Sequence, residues 1–176
     1  MAATYRFSPQ KAFHAVHHMA GRKQPLDLHA ALKACYFADK SHLNEYHQPI
    51  FGATYRAMKF GPVPLQIYEI IKGEALWLWE IGVQDLPWRL SGHFICLQSN
   101  DLPDLSIFSE SEMLHLDAAL NKSIAMNFTA RTALTHGPDW QAANGGTMLY
   151  EDMINETPEK PKIIAYIQDN AHHVRL

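Results

Sequence analysis

The segment "YRAMKFGPVP", Tyr55 to Pro64, stands out from a chain whose other segments show mostly helical patterns. Its first part, within "ATYRAMKF", alternates with a period close to two, which is typical of a short β-strand. Gly61 then interrupts the pattern, and the prolines after it favour the first turn of a helix. We therefore predict a strand, a break and a new helix, with residues 92–98, "GHFICLQ", as the antiparallel partner of the strand.

Helices are predicted on both sides of this segment. The first has Ser8 as its N-cap and stops at Gly21, and the second runs from its N-cap, Asp27, to about His47. A third begins at the prolines and ends at Gly73. Most of the first half of the chain is therefore expected to be helical.

The second half of the chain adds further helices. Ser109 and Glu112 have the spacing of a capping box, which predicts a helix start. Shorter helices are predicted for "TARTALTHG", "DWQAAN" with Asp139 as its cap, "TMLYEDMINE", and "TPEKPKIIAYIQDNAH" with Thr157 as its N-cap, whereas "EALWLWEIG" fits both a strand and a helix and is left unassigned. The predicted class is mostly α (α+β): one compact multi-helix domain, residues 1–176, with a small antiparallel β element.

The composition is that of a folded protein. Hydrophobic residues make up 47% and charged residues 19% of the 176 positions, which excludes a disordered chain. Cys35 and Cys96 each lie in an apolar run without a metal-ligand spacing, so we expect buried thiols. The first residues lack a signal-peptide pattern and no apolar run reaches membrane-spanning length, so we expect a cytoplasmic protein with no membrane partner.

Charge is distributed unevenly along the chain. The net charge is only −3, which argues against a general binder of the phosphate backbone. Residues 1–73 nevertheless carry nine Lys/Arg against four Asp/Glu, whereas residues 74–176 carry six against fourteen. Two interpretations are open: the two halves neutralise each other in the fold, or the basic half meets an acidic partner.

Asp39 is the most unusual charged residue of the predicted second helix, because it lies within the apolar stripe of that helix. A buried carboxylate needs a partner, which Arg56, a tyrosine hydroxyl or Lys59 could supply, and Lys59 is the partner that we expect. His136 lies at a predicted corner between helices, close to Trp140. We interpret Asp39, Lys59 and His136 as structural polar anchors, and the alternative is a small hydrolase-type enzyme that uses Asp39 and His136.

Histidine is frequent, with eleven residues, but it does not form a recognised metal motif. His14 and His18 are four residues apart, and Asp39, His42 and Glu45 are spaced by three. Neither group has a further ligand at a known spacing. We therefore expect no metal and no cofactor.

The cluster of Tyr55, Arg56, Lys59 and Phe60 combines cationic and aromatic side chains, as nucleic-acid stacking surfaces do. It does not continue into further Lys or Arg, and no predicted helix presents a row of basic side chains. We expect no nucleic-acid partner, and a nucleic-acid-binding regulator is kept as an alternative function.

The run from Leu32 to Gly73, "LKACYFADKSHLNEYHQPIFGATYRAMKFGPVPLQIYEIIKG", resembles the signature of the Panacea-domain, SocA-like antitoxin family. The strongest motif lies at residues 49–64. The later segments "FSESEMLHLDAAL" and "LTHGPDW" are similar to other motifs of the family, so the resemblance extends over roughly residues 10–170. The tryptophan-rich segment "EALWLWEIGVQDLPW" matches no part of the family pattern.

This resemblance implies an antitoxin of a toxin–antitoxin module, which neutralises a cognate toxin by direct protein–protein binding. SocA-type members resemble proteolytic adaptors that deliver the toxin to the ClpXP protease, so ClpX is a second implied partner. The family has no established catalytic residues, which implies a protein that is not an enzyme. Exposed aromatic and arginine side chains favour interfaces. The candidate protein-binding residues are Tyr55, Arg56, Phe60, Trp77, Trp79 and Trp88, with packing in the core as the alternative for the tryptophans.

Overall fold

Eight helices and two small antiparallel sheets make up the computed structural model, which describes residues 1–176. The helices are α1 (Pro9–Arg22), α2 (Leu28–Tyr46), α3 (Leu65–Lys72), α4 (Ala75–Ile81), α5 (Glu110–Ile124), α6 (Phe128–Thr135), α7 (Pro138–Ala143) and α8 (Lys160–Asn170). The strands are β1 (Leu26–Asp27), β2 (Tyr55–Met58), β3 (Gly61–Pro64), β4 (Trp88–Ser91) and β5 (Phe94–Leu97). Short 3-10 turns lie at Leu105–Ile107 and Ala171–His173. The predicted mostly α (α+β) class is confirmed.

The central helix is α2, and twelve of its nineteen residues are buried, as expected for a helix with protein on nearly all sides. The side chain of Asp27 accepts a hydrogen bond from the backbone N–H of Ala30 at 2.8 Å, which confirms the predicted N-cap. The α5 helix packs along α2 and begins at the predicted capping box of Ser109 and Glu112. The hydroxyl of Ser123 joins the two helices by donating to the carbonyl oxygen of Ala30 at 2.7 Å.

The segment Tyr55–Pro64 folds back on itself as a β-hairpin. Its two strands, β2 and β3, pair antiparallel from Tyr55 opposite Pro64 to Met58 opposite Gly61. The predicted pairing of β2 with residues 92–98 is therefore wrong, because those residues form β5 and pair with β4 and β1 in a separate sheet. A local hairpin closes a short loop and loses less chain entropy than a pairing between distant segments.

Other element boundaries also differ from the prediction. The α3 helix starts at Leu65, after β3, and the unassigned tryptophan-rich segment forms α4. Residues 147–156 form no helix; instead Thr147 bridges to Arg56, and the N–H of Met148 donates to the carbonyl of Tyr55 at 2.9 Å. The free edge of β2 thus supplies backbone partners that compete with a helix here. The cap of α7 is Gly137 rather than Asp139, and α8 begins at Lys160.

One continuous core connects these elements, since its buried apolar side chains come from α1, α2, α3, α5, both sheets and the C-terminal segment. The thiol of Cys35 is fully buried in it, whereas Cys96 on β5 is only half-buried. None of the helices combines the length and the apolar character that crossing a membrane requires.

The hairpin turn depends on Gly61, whose φ of +101° disfavours residues with a side chain. A β-carbon at this position would also overlap the hydroxyl of Thr135 and lie 2.9 Å from Cε of Lys33. We expect Gly61→Ala to lower the free energy of unfolding by about 2–4 kcal/mol in chemical denaturation, as backbone strain and overpacking add. The matched control is Gly82→Ala, where φ is +83° but nothing lies within 4 Å, and about 1 kcal/mol is expected. Equal losses in the two variants would contradict the close packing at Gly61.

Candidate functional site

Asp39 fastens α2 to the loop and strand that follow it. Its side chain is completely buried, and one carboxylate oxygen, Oδ1, accepts hydrogen bonds from the N–H groups of Ile50 at 2.7 Å and Phe51 at 2.9 Å. The other oxygen, Oδ2, accepts from the hydroxyl of Tyr55 at 3.0 Å. Burial raises the pKa of Asp39 to about 7, although these three hydrogen bonds act in the opposite direction.

The expected ion pair between Asp39 and Lys59 is absent, and this part of the prediction is wrong. Lys59 lies in the exposed hairpin turn, with its ammonium 5.2 Å from the centre of the Phe60 ring. Arg56 is also exposed on β2. Backbone N–H groups and a tyrosine hydroxyl satisfy the carboxylate without burying a second charge, whereas bringing a lysine to it would require the ammonium to lose its water.

A second buried carboxylate, Asp139, was not identified from the sequence as an anchor. Its Oδ2 atom accepts from the hydroxyl of Tyr36 at 2.5 Å and from the ammonium of Lys40 at 2.9 Å. Tyr36 and Lys40 are four residues apart and therefore lie on the same face of α2. The spacing of Tyr36 and Lys40 was the available sign of a shared polar partner. That partner, Asp139, lies about a hundred positions away in the chain, which local patterns cannot reveal.

His136 and Trp140 form a stacked pair, with ring centres 3.8 Å apart and an interplanar angle of 13°. The indole N–H of Trp140 donates to the carbonyl of Met58 at 2.9 Å, so this corner holds the end of β2. The Nε2 atom of His136 is buried and has no hydrogen-bond partner. Asp39 has no contact with His136, and the arrangement therefore gives the hydrolase hypothesis no support.

The candidate protein-binding residues divide into buried and exposed ones. Tyr55 and Trp88 are each 1% exposed and belong to the core, so their assignment to a binding surface is wrong. Trp77 is half-buried and donates its indole N–H to Glu69 at 2.6 Å. Phe60 is 48% and Trp79 77% exposed, and Arg56 is exposed as well. Because Tyr55 points into the core, the cationic and aromatic cluster of the hairpin does not form one stacking surface for nucleic-acid bases.

The histidine pairs considered as metal ligands have other partners. His18 contacts Asp117 at 2.8 Å, and Nδ1 of His42 is 2.7 Å from the carbonyl of Gln48. His14 accepts from the backbone N–H of Asp104 at 3.1 Å. No three His, Cys, Asp or Glu side chains come together in a metal-binding group anywhere in residues 1–176.

A groove of about 590 Å³ lies beside the hairpin turn, and we call it the hairpin groove. This volume is in the range of sites that bind small molecules or several protein side chains. The groove is mostly apolar, and three of its exposed side chains, Met58, Phe60 and Phe128, are large and hydrophobic. The residues around it are Asp27, Leu28, His29, Leu32, Lys33, Met58, Lys59, Phe60, Gly61, Val63, Tyr68, His93 and Phe128.

Lys33 lies at the floor of this groove and is only 1% exposed. Its ammonium donates to the carbonyl of Pro62 at 2.9 Å, and no carboxylate lies within 4.0 Å of it. Burial lowers the pKa of Lys33 to about 7, and the positive charge of Arg131 adds to this effect. Sequence reasoning missed this residue, although a lysine within the apolar run "AALKACYFA" was a signal of a buried cation.

The one carboxylate of the groove, Asp27, is already engaged. Its Oδ1 atom accepts from Nη2 of Arg131 at 3.0 Å, while Nε of Arg131 donates to Nδ1 of His29 at 3.1 Å. His29 is therefore a neutral imidazole whose Nε2–H donates to the carbonyl of Phe60 at 3.0 Å. Burial first, and the nearby Lys33 charge second, lower the pKa of His29 to about 4, so it adds no charge to the groove at neutral pH.

The Asp39 network is tested by comparing Asp39→Ala with Asp39→Asn. The alanine variant leaves two buried N–H groups and a hydroxyl without a partner, so we expect a loss of about 3 kcal/mol or more in unfolding free energy. The asparagine variant retains an acceptor for both N–H groups and should lose less. Chemical denaturation of both variants measures the difference, and equal losses would contradict the anchoring role.

The contribution of Asp39 to the stability of the protein should also depend on pH. Because the pKa of Asp39 rises from 3.8 to about 7 on folding, the native protein holds a proton that the unfolded chain has released in this range. The contribution of Asp39 to stability therefore falls as pH rises from about 4 to 7. Relative to wild type, Asp39→Asn should accordingly gain stability between pH 5 and pH 8.

The family model "Antitoxin SocA-like, Panacea domain" matches residues 32–141, more than half of the chain. No curated protein and no solved structure matches the chain. The matched region includes the hairpin, Lys33, Asp39, Asp139 and most of the residues around the hairpin groove. Membership of an antitoxin family supports an antitoxin role, implies a toxin as partner and favours a non-enzymatic function. The chain belongs to the SocA-like antitoxin family and carries its Panacea domain.

Proposed function

We propose that this protein is the antitoxin of a toxin–antitoxin module and neutralises its cognate toxin by binding it directly. The observation that carries the proposal is the family match over residues 32–141, which includes most of the residues around the hairpin groove. The polar residues of this region also agree with a binding function, because Asp39, Asp139 and Arg131 each make internal contacts that stabilise the fold. A cytoplasmic location is part of the proposal.

The contact surface that we propose is the hairpin groove with its exposed rim. Met58, Phe60 and Phe128 are 46%, 48% and 44% exposed, and aromatic and methionine side chains are enriched at the centres of protein interfaces. The rings of Phe60 and Phe128 pack edge to face at 5.1 Å, so they present one continuous apolar surface. The β2 strand of the hairpin is held at both ends, by Asp39 at Tyr55 and by Trp140 at Met58, so binding orders little additional chain.

A second exposed apolar surface lies on α4, where Leu76 and Trp79 are 66% and 77% exposed. These residues are three positions apart and therefore project from the same side of the helix. The α4 surface also lies within the matched residues 32–141, but neither Leu76 nor Trp79 lines the hairpin groove. We therefore rank it second as a contact for the toxin.

Co-expression with the product of the neighbouring open reading frame tests the proposed function. A neighbour that is toxic alone, tolerated together with this protein and retained by it in co-purification is the expected result. Normal growth of cells that express the neighbour alone would count against the proposal.

Surface variants then locate the contact. Phe60→Ser should weaken toxin binding by at least tenfold, because removing a central aromatic anchor from an interface commonly costs about 2 kcal/mol. Leu102→Ser is the matched control, since Leu102 is 88% exposed and lies away from the hairpin groove. Trp79→Ser tests the α4 surface. Titration calorimetry measures the affinity of each variant for the toxin. Loss of binding in Trp79→Ser with normal binding in Phe60→Ser would place the contact on α4.

Delivery of the toxin to ClpXP is a finer form of the proposal, in which this protein acts as a proteolytic adaptor. Sequestration and delivery differ in the fate of the toxin. Delivery predicts that the half-life of the toxin rises when either this protein or ClpX is removed. A half-life that does not change on removal of ClpX, while toxicity returns only without this protein, would assign simple sequestration.

A further inference from the structure

We propose that the hairpin groove receives an acidic side chain of the toxin, carried on an apolar segment, and that its carboxylate pairs with Lys33. This inference rests on the proposed function, because it assigns the partner's chemistry at the same surface. The proposed ligand is the side chain of an internal glutamate or aspartate of the toxin, not a chain terminus.

The buried ammonium of Lys33 has no carboxylate partner. Other charged side chains in the interior have close polar partners: Arg131 with Asp27 at 3.0 Å, Asp139 with Lys40 at 2.9 Å and Glu112 with Lys11 at 2.7 Å. Lys33 is the one buried cation without a carboxylate. Its ammonium has three N–H donors, of which one reaches the carbonyl of Pro62. A buried cation in this state destabilises the free protein, and an incoming anion would remove that penalty.

The hairpin groove as a whole is positively charged. Lys59 adds a second cation at the rim, and the carboxylate of Asp27 is neutralised by Arg131. His29 is neutral at pH 7 because burial and the nearby Lys33 charge lower its pKa to about 4. A carboxylate that enters the groove therefore meets two cations and no free negative charge, which is the complementarity expected for an acidic partner.

The apolar lining of the groove defines which residues must accompany the carboxylate. Leu32 and Val63 line the groove, and Met58, Phe60 and Phe128 extend the apolar surface to its rim. Residues next to the acidic side chain must therefore be apolar to bury this surface. Low local polarity also strengthens the carboxylate–ammonium attraction once water is excluded.

Pairing with a carboxylate requires a charged Lys33, so binding is coupled to its protonation. The titratable and charged groups around Lys33 are Asp27 and His29 at the start of α2, Lys59 in the hairpin, Tyr68 in α3, His93 between β4 and β5, and Arg131 in α6. The pKa of Lys33 in the unbound protein is about 7. Above this pH, Lys33 must therefore take up a proton when it binds a carboxylate. Affinity should therefore fall by up to tenfold for each pH unit above 7.

Short peptides test the site without knowledge of the toxin. The first is acetylated and amidated and has one central glutamate between leucine and phenylalanine residues; the second has glutamine in its place. The third has the glutamine and a free carboxyl terminus. Titration calorimetry should show at least tenfold tighter binding of the glutamate peptide than of the other two. Equal binding of the first two, or no binding of any, would overturn the inference, and tightest binding of the third would assign the groove to a chain terminus instead.

Lys33→Met removes the charge at nearly constant length and should abolish the preference for glutamate. The matched control is Lys59→Met, which removes an exposed rim charge and should reduce affinity by no more than about threefold, as expected for a solvated charge. Thermal unfolding checks the fold of Lys33→Met, which should be at least as stable as wild type at pH 6, where the buried ammonium is charged.

The pH profile is measured on wild type and therefore does not depend on any variant folding. Weaker binding of the glutamate peptide at pH 9 than at pH 7 supports the coupling, and an unchanged affinity contradicts it. The two proposals fail separately. A groove that prefers the glutamate peptide in a protein that does not neutralise its neighbour's product would retain the site and refute the antitoxin function, whereas neutralisation that is unaffected by Lys33→Met would refute the site alone.

Discussion

The buried carboxylate of Asp39 is the contact on which the arrangement of this domain depends. It binds two backbone N–H groups of the loop after α2 and the hydroxyl of Tyr55 on β2, so one side chain sets where the chain turns and where the hairpin begins. Without it, those donors would be buried and unsatisfied. The second carboxylate, Asp139, ties α7 to α2, and Trp140 beside it holds the other end of β2.

Fixing β2 at both ends has a consequence for function. The turn between the strands projects Phe60 over a groove whose floor is Lys33. Gly61 allows the backbone of this turn to approach the Lys33 side chain closely. A preformed apolar groove with a single buried cation is suited to binding a partner, which agrees with membership of an antitoxin family. Lys33 reduces the stability of the free domain, and such a residue is typical of functional sites, where binding requirements and stability conflict.

Part of the fold and of the site could be predicted from local patterns. The cap at Asp27 and the capping box at Ser109 and Glu112 were found because a helix start uses residues within three positions of each other. The burial of Asp39 followed from its place in an apolar stripe, but its partner was misassigned to Lys59. The strand at Tyr55 was identified, whereas its pairing partner was not, because the prolines of β3 favour the first turn of a helix.

By itself, the sequence determined the helical class, the helix caps at Asp27 and Ser109, the family and the position of a carboxylate that had to be buried and bonded. The tertiary structure alone decided which side chains meet: Tyr55 with Asp39, Asp139 with Tyr36, and Lys33 with the carbonyl of Pro62. It also decided that Trp88 lies in the core while Phe60 and Trp79 face solvent. The physical reason is that caps and amphipathic stripes arise between neighbours in the chain, whereas these contacts join segments that only the packing of α2 against the rest of the domain brings together.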